Sequence, residues 1–143
     1  SAILSSTGSY TKITVDTPAA KEGDSIPTTP LEPIADLYDQ LRSAKNRGVN
    51  LSRCVLCLTA GGVQTTTSDG KILSTDTLTA DEVEEILARD GVRTYYSTRY
   101  ESAYCIYAPN RYQSATVWYQ SDESLAAKLQ LARLFGVTYY TLS

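Results

Sequence analysis

Histidine and methionine are absent from these 143 residues, tryptophan and phenylalanine occur once each, and cysteine occurs three times. Each shortage narrows what the chain can do. A zinc site needs about four ligands, and Cys54 and Cys57 have one further cysteine, Cys105, and no His to join them. An odd number of cysteines makes a poor disulfide framework. The CxxC spacing of Cys54 and Cys57 falls in the apolar run Arg53–Leu58, where no helix starts, whereas a redox CxxC pair sits at a helix N-terminus. These cysteines read as small buried strand side chains. No metal and no cofactor follows from this composition.

Concentrated positive charge is also missing. Lys and Arg number 13 against 16 Asp and Glu, for a net charge of -3, and the cations are scattered. Nucleic-acid binding needs a basic face, and an anionic membrane surface needs a basic block; neither partner is expected. No apolar run approaches the ~18 residues of a membrane span. The chain opens on Ser, without signal-peptide character and without Met, which suggests a processed piece of something longer.

What is present is enough for one globular domain. Apolar residues make up 42% of the chain, above the level typical of disordered segments. Residues 1–9 read as an arm or truncated edge, and Tyr10 to Asp16 as a strand running into a Pro-containing loop. Thr29-Pro30-Leu31-Glu32 has the form of a capping box with Pro at the first helical position. Ile34, Leu37, Tyr38 and Leu41 then recur at helical spacing, and Gly48 supplies a stop. Arg53 to Thr59 suits a strand buried on both faces.

Residues 61–113 read as an insertion: a hairpin turning at Asp69-Gly70, a helix capped by Thr79-Ala80-Asp81-Glu82, and Tyr-rich strands. Residues 114–143 follow as a final strand–helix–strand, capped by Ser121 or Asp122, with Leu125, Leu129, Ala132 and Phe135 facing inward. Without the insertion, residues 10–60 and 114–143 form a parallel β/α series. The predicted class is α/β, about three β/α units of a partial TIM-type barrel with an inserted α+β subdomain. Three parallel strands leave two edges unpaired. Either the strands of 92–119 cap an edge, or another chain, or a second copy, supplies the neighbours.

The segment Val117-Trp118-Tyr119-Gln120-Ser121-Asp122-Glu123-Ser124-Leu125-Ala126-Ala127-Lys128, continuing as Leu131 to Leu142, resembles the late motif, last helix and eighth strand of glycoside hydrolase family 18 (chitinase-like) barrels. Gly48 to Leu58 resembles the loop and seventh strand, and Ile13-Thr14-Val15-Asp16 the sixth. The likeness covers about residues 10–143. It implies the C-terminal portion of such a barrel, acting on or binding N-acetylglucosamine polymers such as chitin or peptidoglycan, in an extracellular or cell-surface setting. In that family the substrate's own N-acetyl group is the nucleophile and a carboxylic acid protonates the glycosidic oxygen. By the resemblance, Asp16 stands where the family orients the N-acetyl group, and Tyr140 where it floors the sugar site with Trp.

The departures bear on activity. The family's DxxDxDxE signature, which carries the acid, is absent, and Val15, Cys57 and Tyr140 replace the family's Tyr, Gly and Trp. Glu82, Glu84 and Glu85 belong to a solvated helix and are not candidates for the acid. No catalytic residue is therefore assigned. Asp16, Tyr140 and Trp118 are the candidate substrate-binding residues, although a lone Trp such as Trp118 is more often a packed anchor than a ligand platform. Tyr95, Tyr96, Tyr100, Tyr104, Tyr107, Tyr112 and Tyr119, interleaved with Arg93, Arg99 and Arg111, suit either a glycan or protein contact surface or a Tyr-rich sheet. The expected function is a glycosidase-like domain, non-catalytic alone, that binds glycan or serves assembly; the alternative is one chain of a split or processed glycosidase.

Overall fold

Two sheets divide the elements between them in this computed structural model, which describes residues 10–15 and 30–143. Along the chain run β1 (Thr11–Ile13), α1 (Ile34–Asn46), a 3-10 turn (Leu51–Arg53), β2 (Cys54–Leu58), β3 (Gly62–Ser68), β4 (Lys71–Leu78), α2 (Ala80–Leu87), β5 (Arg93–Ser97), β6 (Ser102–Asn110), β7 (Gln113–Tyr119), α3 (Asp122–Leu134) and β8 (Tyr139–Leu142). β1, β2 and β8 form a parallel sheet with β2 in the centre. β4-β3-β7-β6-β5 form an antiparallel sheet in that order. The mixed α/β class is as expected. No described helix is long and apolar enough to cross a membrane.

The parallel sheet is held by its own apolar core. Leu37 and Leu41 of α1, Leu56 and Leu58 of β2, and Ala132 of α3 cluster with Ile13 and Val137. Leu125, Leu129 and Phe135 pack against them, as the helical spacing predicts. In β2, Cys54, Leu56 and Leu58 are buried while Val55 and Cys57 are half-buried, so only one face is fully covered, contrary to the expectation of two. β8 is exposed along its whole length and forms an edge of the sheet.

α1 starts later than its signal suggested. It begins at Ile34 behind Pro33, which makes no side-chain cap. Thr29 lies outside the described residues. Glu32 does not close a capping box: it adopts a left-handed backbone (φ 34) and sends its side chain to Thr59. The other two caps form as read. Thr79 accepts from the Glu82 amide at 3.2 Å while Glu82 accepts from the Thr79 amide at 2.9 Å. Ser121 caps α3 reciprocally with Ser124.

The antiparallel sheet takes in the strand expected to open the final strand–helix–strand. β7 pairs antiparallel with both β3 and β6, so this sheet runs to Tyr119. Its strands pair with one another and do not cap the parallel sheet, so that option closes among the described residues. The β3–β4 turn has positive φ at Asp69 (52) and Gly70 (75), the pattern of a type I′ hairpin. Val83 and Ile86 of α2 pack on Cys105 and Val117, giving this sheet a core of its own. A Cβ at Gly61 would collide with the Leu78 carbonyl, and one at Gly62 would come 2.7 Å from the Trp118 carbonyl, so the exit from β2 needs glycine at both.

Candidate functional site

The residues that carry polar chemistry gather where the two sheets meet. Glu32, almost fully buried, lies beside the carboxyl end of β2, the end of parallel strands where β/α folds place their sites. Its carboxylate accepts from the Thr59 amide (3.1 Å), the Thr59 hydroxyl (2.8 Å) and Gln120 Nε2 (3.4 Å). Gln120 Oε1 in turn accepts from Ser124 Oγ (2.5 Å) and Lys128 Nζ (3.1 Å). Lys128 has no solvent exposure and also donates to the Leu31 carbonyl (2.8 Å) and Ser102 Oγ (3.3 Å). Loss of hydration lowers its pKa from 10.5 to about 8, against an upward pull from Glu32 and Glu101.

A second feature lies on the antiparallel sheet. Cross-strand register brings Tyr95, Tyr104 and Trp118 into one row over β5, β6 and β7. Tyr95 stacks on Tyr104 at 5.1 Å between centroids, and Tyr104 meets Trp118 at 4.5 Å. Tyr100 meets Trp118 edge-on at 6.1 Å. Trp118 is only 7% exposed, the position of a packed anchor, while Tyr95 at the row's outer end is 40% exposed. Tyr107 faces the other way, donating to Gln64 Oε1 on the side packed by α2.

Beside Tyr95 an open depression of about 450 Å³ lies between Tyr95, Tyr96, Tyr119 and the acidic first turn of α3, Asp122 and Glu123. The Tyr96 hydroxyl donates to Glu101 Oε2 at 2.6 Å. Burial first, then the Glu101 bond and the charges of Glu101 and Glu123, push the Tyr96 pKa well above 10. Arg99 and Arg111 each stack on the next residue, Tyr100 (5.2 Å) and Tyr112 (5.4 Å).

Of the candidates named from sequence, the two in described residues, Tyr140 and Trp118, lie in different sheets. Asp16 lies outside the described residues. Tyr140 is on β8, in register with Leu56 and 44% exposed, and Trp118 belongs to the other sheet. Sequence reading missed Glu32, taken for part of a capping box, Asp122, taken for a possible cap of the last helix, and Glu123, given no role of its own; their signal was acidic residues next to strand ends. The acidic residues of α2 are helical furniture: Glu82 closes the cap and Glu85 pairs with Arg89 at 3.7 Å on the surface. The three cysteines are free thiols, and no group of His, Cys, Asp and Glu among the described residues is placed to hold a metal.

This fold is that of a C-terminal portion of glycoside hydrolase family 18 chitinase-like structures. A chitinase from Chromobacterium violaceum superposes with a TM-score of 0.74 at 21% identity, over 92% of this chain and 39% of that one. The spore cortex-lytic enzyme SleL of Bacillus megaterium gives 0.71 at 15% identity, over 92% and 36%. A Cycas revoluta chitinase of the same family, solved with (GlcNAc)3, gives 0.61 at 21%, over 72% and 32%. The chain thus spans well under half the length of each. No protein-family model and no curated protein sequence matches it.

Proposed function

We propose that this chain is a glycosidase-like, carbohydrate-binding module that recognises N-acetylglucosamine polymers and does not cleave them alone. Its three parallel strands are read as part of a TIM-type barrel and β3–β7 with α2 as a wall beside it. The observation that carries the reading is the depression lined by Tyr95, Tyr96, Tyr119, Asp122 and Glu123. A pyranose offers an apolar C–H face to an aromatic ring and a rim of hydroxyls to carboxylates, and this lining supplies both partners. Asp16 and Tyr140 are proposed as further sugar contacts, and Trp118 as the anchor beneath Tyr104. An extracellular or cell-surface setting belongs to this reading.

The 143 residues hold no DxxDxDxE, so the chain has no recognised acid for the glycosidic oxygen. Titration with chitohexaose, followed by NMR, is expected to shift signals around Tyr95, Tyr119 and Asp122. Tyr95→Ala with Tyr96→Ala should weaken binding about tenfold, equivalent to ~1.4 kcal/mol. A fluorogenic chitobioside should release nothing. Absence of binding at millimolar chitohexaose would remove the carbohydrate reading, and release of the fluorophore would remove its non-catalytic half. The exposed edge strand β8 favours a second reading, assembly with another chain, which includes the split glycosidase.

A further inference from the structure

The two hydrophobic clusters share no residue. One contains Ile13, Leu37, Leu41, Leu56 and Ala132; the other contains Val83, Ile86, Cys105 and Val117. The described bonds that cross between the two bodies are polar. The Ile34 amide donates to the Tyr100 carbonyl (3.0 Å), Ser102 Oγ donates to the Leu31 carbonyl (3.1 Å), and Lys128 Nζ reaches Ser102 Oγ (3.3 Å). Leu31, whose carbonyl takes two of the bonds at this joint, is itself buried; separate cores joined in this way are the kind of boundary across which parts of a protein move.

The covalent crossings are equally narrow. Pairing of β2 with β8 continues through Ala60, whose amide donates to the Ser143 carbonyl, and β3 begins at Gly62. Gly61 alone lies between. On the return, β7 ends at Tyr119 and Ser121 caps α3, which leaves Gln120 alone between them. Gln120 is held at both ends of its amide, by Glu32 and by Lys128. The acidic groups nearest Lys128 are engaged elsewhere: Glu32 on Thr59 and Glu101 on Tyr96. Asp122 and Glu123 are the acidic groups in the first turn of the helix that carries Lys128, and the charges of Glu101 and Glu123 both act on Tyr96.

We propose that β3–β7 with α2 swing on the parallel sheet about Gly61 and Gln120, and that the buried Lys128 ammonium is the bolt of this hinge, released when it passes into water. Among the described residues three neutral oxygens and no carboxylate accept from the closed bolt, so closure strips water from a charge that these partners do not neutralise. The closed state therefore binds the Lys128 proton more weakly than an opened state would, in line with the lowered pKa. Raising pH favours closure and protonation favours opening. This inference does not depend on the carbohydrate reading.

The Ile34 amide reports the joint directly, because its partner is across it. Pulsed hydrogen exchange is compared at pH 7 and pH 9 for Ile34 and for Leu56 inside the parallel core, each corrected for its intrinsic rate. In the wild type, opening at Ile34 should fall about tenfold between these values, with exchange at Ile34 faster than at Leu56 throughout. Lys128→Met should abolish the pH response at Ile34 while leaving Leu56 the better protected. Equal exchange at the two amides, or a pH response that survives in the variant, overturns the hinge or the bolt respectively. If the variant does not fold, the wild-type comparison still decides: a ratio of Ile34 to Leu56 exchange that stays constant from pH 7 to pH 9 overturns the proposal.

Discussion

Lys128 bears its charge at neutral pH among neutral oxygens, and that sets the pH dependence of the fold. Its pKa is about 8 folded against 10.5 unfolded, so the unfolded chain holds the proton longer and stability rises with pH across that interval. Cys105 acts in the opposite sense: burial raises its thiol from 9.0 to about 11, so its contribution is present below pH 9 and lost above. Tyr96, Tyr107 and Tyr119 are likewise raised, chiefly by burial, and begin to lose their contribution above pH 10. Urea unfolding between pH 7 and pH 11 should therefore show greatest stability near pH 9. A midpoint that falls steadily from pH 7 would contradict this. None of it was legible in the sequence, because the groups that receive Lys128 include Leu31 and Ser102, 97 and 26 residues away.

Local signals decided the elements well wherever the partners were local. The hairpin turn at Asp69-Gly70, the caps at Thr79 and Ser121, and the inward stripe of α3 were all legible, since each is a relation between residues a few positions apart. The pattern beginning at Thr29 misled because Glu32 finds better partners in Thr59, 27 residues on. The sheet that β7 joins was hidden for the same reason: residues 114–119 read as a strand, but their pairing with β3 is encoded by no local pattern. The reciprocal bonds at Thr79 make a direct test of the cap. Thr79→Ala should destabilise the protein by about 1 kcal/mol, read from the urea midpoint at unchanged slope. A loss below about 0.3 kcal/mol would mean that packing on Cys105 and Val117, not the cap, holds α2.

At the scale of the whole molecule, the parallel sheet ends on one side in β8, where Tyr139, Tyr140 and Leu142 are 49%, 44% and 43% exposed. Unpaired strands of this kind recruit neighbours. Native mass spectrometry of the purified protein is expected to find it paired, with a second copy or a different chain, and a companion carrying DxxDxDxE would restore the split-glycosidase alternative. A stable monomer at high micromolar concentration would count against assembly. The sequence raised the question of unpaired edges from the number of parallel strands, and among the described residues the strands of the antiparallel sheet do not cover them. The aromatic row has an optical corollary. Because the chain has one tryptophan among eleven tyrosines, and Trp118 sits in the inserted sheet against Tyr104, ultraviolet emission will come mainly from that body. A fluorescence melt will time the loss of the aromatic row and remain nearly blind to the parallel sheet.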